Sequence, residues 1–101
     1  MGTLVYSDSM QWRVDDQTLA ELRFVMFEKL RRQESFAITL QQARAGAEAV
    51  RSFSAWVTPE TPLVFVFDGA VTKEIDRERV ETLMRMTYTR AGVVIEAAPD
   101  D

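Results

Sequence analysis

Apolar side chains recur along this chain with two periods, and the switches between them mark out its elements. Thr3-Leu4-Val5-Tyr6 is a short β-prone run closed by the turn-forming Ser7-Asp8-Ser9. Met10, Trp12 and Val14 then alternate with Gln11, Arg13 and Asp15, a period of two that predicts a half-buried strand and an opening hairpin. At Leu19 the period changes. With about 100° per residue, Leu19, Leu22, Met26 and Leu30 fall in one narrow stripe widened by Val25 and Phe27, which predicts an amphipathic helix with that stripe against the core. Asp15 or Asp16 can cap it, and Thr18-Leu19-Ala20-Glu21 is an alternative capping box one turn later. Phe24 falls on the far side of the same helix, among polar neighbours.

The period of two then returns. Phe36, Ile38 and Leu40 alternate with Ser35, Ala37 and Thr39 in a third strand that ends in a loop-like segment, Gln41 to Val50, around Gly46. Phe53, Ala55 and Val57 alternate with Ser52, Ser54 and Trp56 in a fourth. Thr58-Pro59-Glu60-Thr61-Pro62 turns the chain into Leu63-Val64-Phe65-Val66-Phe67, apolar on both faces, which predicts a central strand covered on both sides. Asp68-Gly69 ends it. Ile75 and Val80 fit a hydrophobic staple around a capping Asp76, opening a second helix with a stripe of Val80, Leu83, Met84, Thr87 and Ala91, stopped by Gly92. Val93-Val94-Ile95 is a last strand. The order ββαβββαβ predicts an α+β fold: a single largely antiparallel sheet with two helices, one domain over residues 1–97 and a frayed tail over 98–101.

Two helices cover roughly one face of such a sheet, so the other face needs apolar cover. A self-complementary contact giving a homodimer is the commonest solution, with helices split between the faces or a sheet curled to close its own core as the alternative, and Phe24, Trp12, Trp56, Val64 and Val66 are the candidate interface residues. Composition narrows the chemistry further. The 101 residues include neither cysteine nor histidine, which removes disulfides, thiolate nucleophiles, soft-ligand zinc sites and imidazole acid–base catalysis. The missing cysteines suit a reducing cytoplasm, and MGTLVYSDSMQW has no basic segment followed by an apolar run, so a cytoplasmic protein without a signal peptide is expected. No apolar run reaches membrane-spanning length. No P-loop or Rossmann glycine pattern occurs, neither lysine follows a Ser-x-x-Lys spacing, and no cofactor is implied.

The formal net charge of −4 repels nucleic acid at long range, so nucleic-acid binding would need a local basic patch. The candidates for phosphate contact are Arg31 and Arg32 with Arg23. On the helical wheel Lys29, Arg31 and Arg32 splay to about 280°, 120° and 220° from Leu19, and cations in a last helical turn also complement the helix dipole. Glu28 is placed to pair with Arg32 at i,i+4. Asp15-Asp16 with Asp8 nearby lacks the ligand rhythm of a calcium loop and reads as capping. Asp76, Glu78 and Glu81 read as first-turn and solvated-face acids, with Arg77 and Arg85 placed to pair with Glu81.

Four segments carry a resemblance: MGTLVY, DDQTLAEL followed by KLRRQESF, WVTPETPLVFVFDG, and GVVIEAAP. Together they resemble a family of small actinobacterial proteins of unknown function, often labelled ATP-dependent DNA ligase or ligase-like in genome annotation. Ligases of that kind resemble one another in a Lys-x-Asp-Gly motif whose lysine carries the adenylate. Here Asp68-Gly69 is preceded by Val66 at the lysine position, so the resemblance transfers no catalytic residue. The expectation is a non-enzymatic, self-associating interaction module, with a nucleic-acid accessory protein as the alternative.

Overall fold

Turn chemistry at Ser7 starts the fold. Ser7 takes a left-handed φ of 56°, which lets β1 (Gly2–Tyr6) and β2 (Met10–Val14) close as an antiparallel hairpin, and its N–H donates to Pro62 O at 2.7 Å. The computed structural model describes residues 1–44, 50–69 and 74–100. After the hairpin come α1 (Asp16–Arg31), β3 (Phe36–Arg44), β4 (Val50–Val57), β5 (Leu63–Val66), α2 (Arg77–Met86) and β6 (Val93–Asp100).

The strands form two three-stranded sheets, not the single sheet expected. One has the order β2-β1-β5 and is wholly antiparallel; the other has the order β4-β3-β6 and is mixed, because β3 runs antiparallel to β4 and parallel to β6. The physical reason lies in cover. An α1 of 16 residues and an α2 of 10 are too short to roof one flat six-stranded sheet. Divided, the sheets help to cover each other: Trp12 of β2 meets Phe53 of β4 with ring centroids 5.7 Å apart, and the Tyr6 hydroxyl of β1 donates to Trp56 O of β4 at 2.8 Å. Leu4, Trp12 and Val14 from the first sheet share one core with Phe36, Ile38, Leu40, Val57, Val93 and Ile95 from the second, closed by Leu19, Leu22, Val25 and Met26 of α1 and Leu83 of α2.

Several sequence expectations change with this arrangement. Trp12 is a core residue, which removes it from the candidate interface. β5 is an edge strand, not a central one: α1 covers one of its faces, with Phe27 edge-on to Phe65 at 5.4 Å, and leaves Val64 and Val66 exposed on the other. An apolar run on both faces signals burial only when a second layer exists to bury it, and here there is none. β3 continues through Gln41 to Arg44, where a loop was expected, while Gly46 lies outside the described residues. β6 runs on through Ala98 and Pro99 to Asp100, where a frayed tail was expected, and Gln42 Nε2 donates to Ala98 O at 3.0 Å.

Both helix starts follow the sequence. Asp15 caps α1 by accepting from Thr18 N at 3.2 Å, and Asp76 caps α2 by accepting from Glu78 N and Arg79 N at 3.0 and 3.3 Å. α2 stops at Met86, earlier than the apolar stripe implied, and the Thr87 and Thr89 hydroxyls bond back to Met84 O and Met86 O. Gly92 therefore does not cap the helix. It sits at φ 72° where the chain turns into β6, and a Cβ there would overlap the backbone carbonyl of Ala37. Gly92→Ala is expected to lower the unfolding free energy by at least about 2 kcal/mol in urea titration, since strained φ and steric overlap act together.

Candidate functional site

Two buried charges organise the side-chain chemistry. Glu21 of α1 is 3% exposed. Its Oε2 accepts from Gln17 Nε2 at 2.9 Å and from the backbone N–H of Asp76 at 3.2 Å, and Arg79 Nε lies 3.9 Å from Oε1. The carboxylate thus sits at the N-terminus of α2, where the exposed N–H groups of a helix favour negative charge. Lys29, two turns further along α1, is 2% exposed. Its Nζ is 3.5 Å from Glu34 Oε1 and 4.3 Å from the centre of the Tyr88 ring, just beyond the end of α2. Low-dielectric surroundings strengthen such a cation–π contact. Because Glu21 meets the start of α2 and Lys29 meets the segment after its end, the helices run side by side in the same sense.

The sequence offered a direct sign of Lys29's burial. Its wheel position of about 280° lies inside the core arc, between Val25 at about 240° and Leu22 at about 300°. A long aliphatic stem lets lysine occupy such a position while its ammonium finds partners at the rim.

The basic candidates are engaged within the chain. The Arg23 guanidinium stacks 5.4 Å over the Phe67 ring. Arg31 is 2.9 Å from Glu28 Oε1, and Arg32 reaches Glu28 Oε2 and Glu34 Oε1, each at 3.9 Å. The i,i+4 pair is present, joined by a closer i,i+3 pair. Arg85 donates to Thr82 Oγ1 at 3.3 Å in place of the expected partner Glu81. The acidic candidates are similarly committed: Asp15 to the cap of α1, Asp16 to the Met1 amine at 3.5 Å, and Asp68 to Arg13 at 3.4 Å. Among the described residues no group of three or more acidic side chains is gathered to hold a metal. The position two before Asp68 is Val66, at the end of β5.

Two open depressions flank these elements. A cleft of about 640 Å³ is lined by Asp15, Thr18, Gln41, Arg79, Glu96 and Pro99. A more apolar groove of about 350 Å³ runs between the helices, bounded by Phe24, Ile75, Val80, Arg77 and Glu81. Phe24 is 43% exposed and forms one wall of that groove.

The remaining interface candidates lie on different elements. Val64 and Val66, 53% and 45% exposed, project from the outer face of β5 beside Val5 of β1. Trp56 is 60% exposed on the outer face of β4. Sequence reasoning missed its companion Val50, exposed on the same face, because the pattern placed Val50 in a loop. The continuous alternation Val50, Ser52, Ser54, Trp56 was the signal.

The family described as "Domain of unknown function (DUF7882)" matches residues 1–98, and the chain belongs to that family. Neither the curated proteins nor the solved structures contain a match.

Glu21→Ala is expected to destabilise the fold by about 1–2 kcal/mol, because it removes the buried acceptor that the Asp76 N–H and Gln17 share, whereas Glu21→Gln, which keeps an acceptor oxygen, costs less than half of that. Chemical denaturation of the two variants side by side checks the ordering.

Proposed function

We propose that the chain is a small non-enzymatic cytoplasmic module that acts by self-association as a homodimer. One observation carries the reading: the ring of Trp56 stands 60% exposed on a strand, while Trp12 is packed into the core. Water around that much aromatic surface is released when a second surface covers it, and tryptophan dominates the energetics of many interfaces. The exposed valines of β5 add apolar surface elsewhere on the molecule. Charged side chains that could serve catalysis are instead tied into caps and latches, as at Asp15, Glu21, Lys29 and Asp76.

The alternative, a nucleic-acid accessory protein that uses Arg23, Arg31 and Arg32, would have a phosphate compete with the neighbouring carboxylates of Glu28 and Glu34 and with the Phe67 ring for those cations. With a net charge of −4 the long-range field also opposes a polyanion. No observation favours it over self-association.

Light scattering coupled to gel filtration is expected to give a mass that rises towards twice 11.6 kDa as the loaded concentration increases through tens of micromolar. A constant monomer mass up to several hundred micromolar would sink the proposal. Fluorescence anisotropy with single- and double-stranded DNA and RNA at about 50 mM salt is expected to show no binding; steep, salt-dependent binding lost on Arg31→Glu plus Arg32→Glu would instead establish the alternative.

A further inference from the structure

The edges of the two sheets are defended unequally. The edges of the first sheet are short, five residues in β2 and four in β5, and Pro62 directly precedes β5. β6 carries Glu96 and Pro99, and its pairing with β3 shifts register between Gln42 and Arg44. Short length, charge, proline and irregular register are the devices that keep a strand edge from pairing with another chain. β4 has almost none of them. It is eight residues long, contains neither proline nor lysine, and pairs with β3 in unbroken register from Phe36↔Val57 to Ala43↔Val50. Among the described residues no strand pairs with its other edge.

Resting on the self-association proposed above, we infer that β4 is the dimer interface: two copies pair antiparallel along this edge, joining their second sheets into one of six strands. The occupant follows from the side chains. A two-fold axis through Phe53 sets Val50 opposite Trp56 of the other copy, Ser52 opposite Ser54, and Arg51 opposite Ala55. Val50, Ser52, Ser54 and Trp56 are all exposed and share the outer face, so each exposed apolar residue meets the other and the serines meet between them. The two Arg51 side chains stand about 14 Å apart along the strands, beyond the screening length at physiological salt, so like charges are not opposed. An axis through Ser54 would set Trp56 against Ser52 and leave Val50 against Thr58, separating the apolar pair. Pairing over residues 50–56 supplies about six to eight backbone hydrogen bonds. The Tyr6 hydroxyl already donates to Trp56 O, but a carbonyl oxygen accepts twice, so that end of the edge stays competent.

The chain lacks cysteine, so single-cysteine variants report register without background. Ser52→Cys and Ser54→Cys proteins, mixed and gently oxidised, are expected to yield mainly the mixed disulfide, because only unlike positions face each other within disulfide reach. Trp56→Lys is expected to weaken dimerisation about tenfold or more while leaving the unfolding midpoint unchanged when both proteins are diluted to monomer, its ring being exposed there. Preferred self-linking of Ser54→Cys overturns the Phe53 register. A dimer that survives Trp56→Lys and gives no mixed disulfide places the interface elsewhere and leaves self-association intact. Monomer throughout, with no disulfide, ends both.

Discussion

Two helices that lie side by side in the same sense bring like ends of their dipoles together, which is an unfavourable arrangement in water and a worse one at a core boundary. The connectivity imposes it here, and the rest of the structure depends on how it is neutralised. Glu21 places a carboxylate among the free N–H groups of α2, and Lys29 places an ammonium near the opposite end, against Tyr88 and Glu34. Each charge is desolvated and each is partnered, the condition under which burial of charge is tolerated. With the helices fixed to each other, α1 can cover the inner face of the first sheet while α2 closes the core beside β6.

Once the helices occupy that inner space, the sheets have to divide. Trp12 and Phe53 fill the gap between them, and Tyr6 bonds across it to β4. The division also decides what remains outside. Outer faces receive no helix, so whatever apolar character the strands carry there stays in water: Val64 and Val66 on one sheet, Val50 and Trp56 on the other. Exposed surface of this kind follows from having two helices to cover six strands among the described residues, and selection then determines which part of it is put to use.

Much of the local structure was legible in the chain. Asp15 and Asp76 announced their caps, the stripe of Leu19, Leu22 and Met26 announced the buried face of α1, and alternation placed Phe36, Ile38 and Leu40 inward. What was not legible was non-local. Periodicity reports which face of a strand is apolar, but not whether a second layer exists over it, so Trp12 and Val64 could not be told apart as buried and exposed. The end of α2 was misplaced because threonine hydroxyls at positions 87 and 89 terminate the helix through their own hydrogen bonds while the apolar stripe runs on to Ala91. At the candidate site Trp56 and Phe24 were recognised as exposed, whereas Val50 was hidden by a loop assignment and the latch of Lys29 by a wheel read for splay, not for depth.

The parallel pairing of β3 with β6 has a consequence for how the protein comes into being. Ile38 waits for Val93, more than fifty residues later in the chain, before its strand has a second neighbour. While the chain is being synthesised, β3 and β4 can meet as a hairpin, yet β3 keeps an open edge until the last strand replaces it with one that carries Glu96 and Pro99. Contacts that distant in sequence form slowly, and the intermediate offers an adhesive ribbon to its surroundings for that whole interval. The final eight residues of secondary structure therefore act less as a tail than as a stopper, retiring one sticky edge and leaving the other for the mature protein.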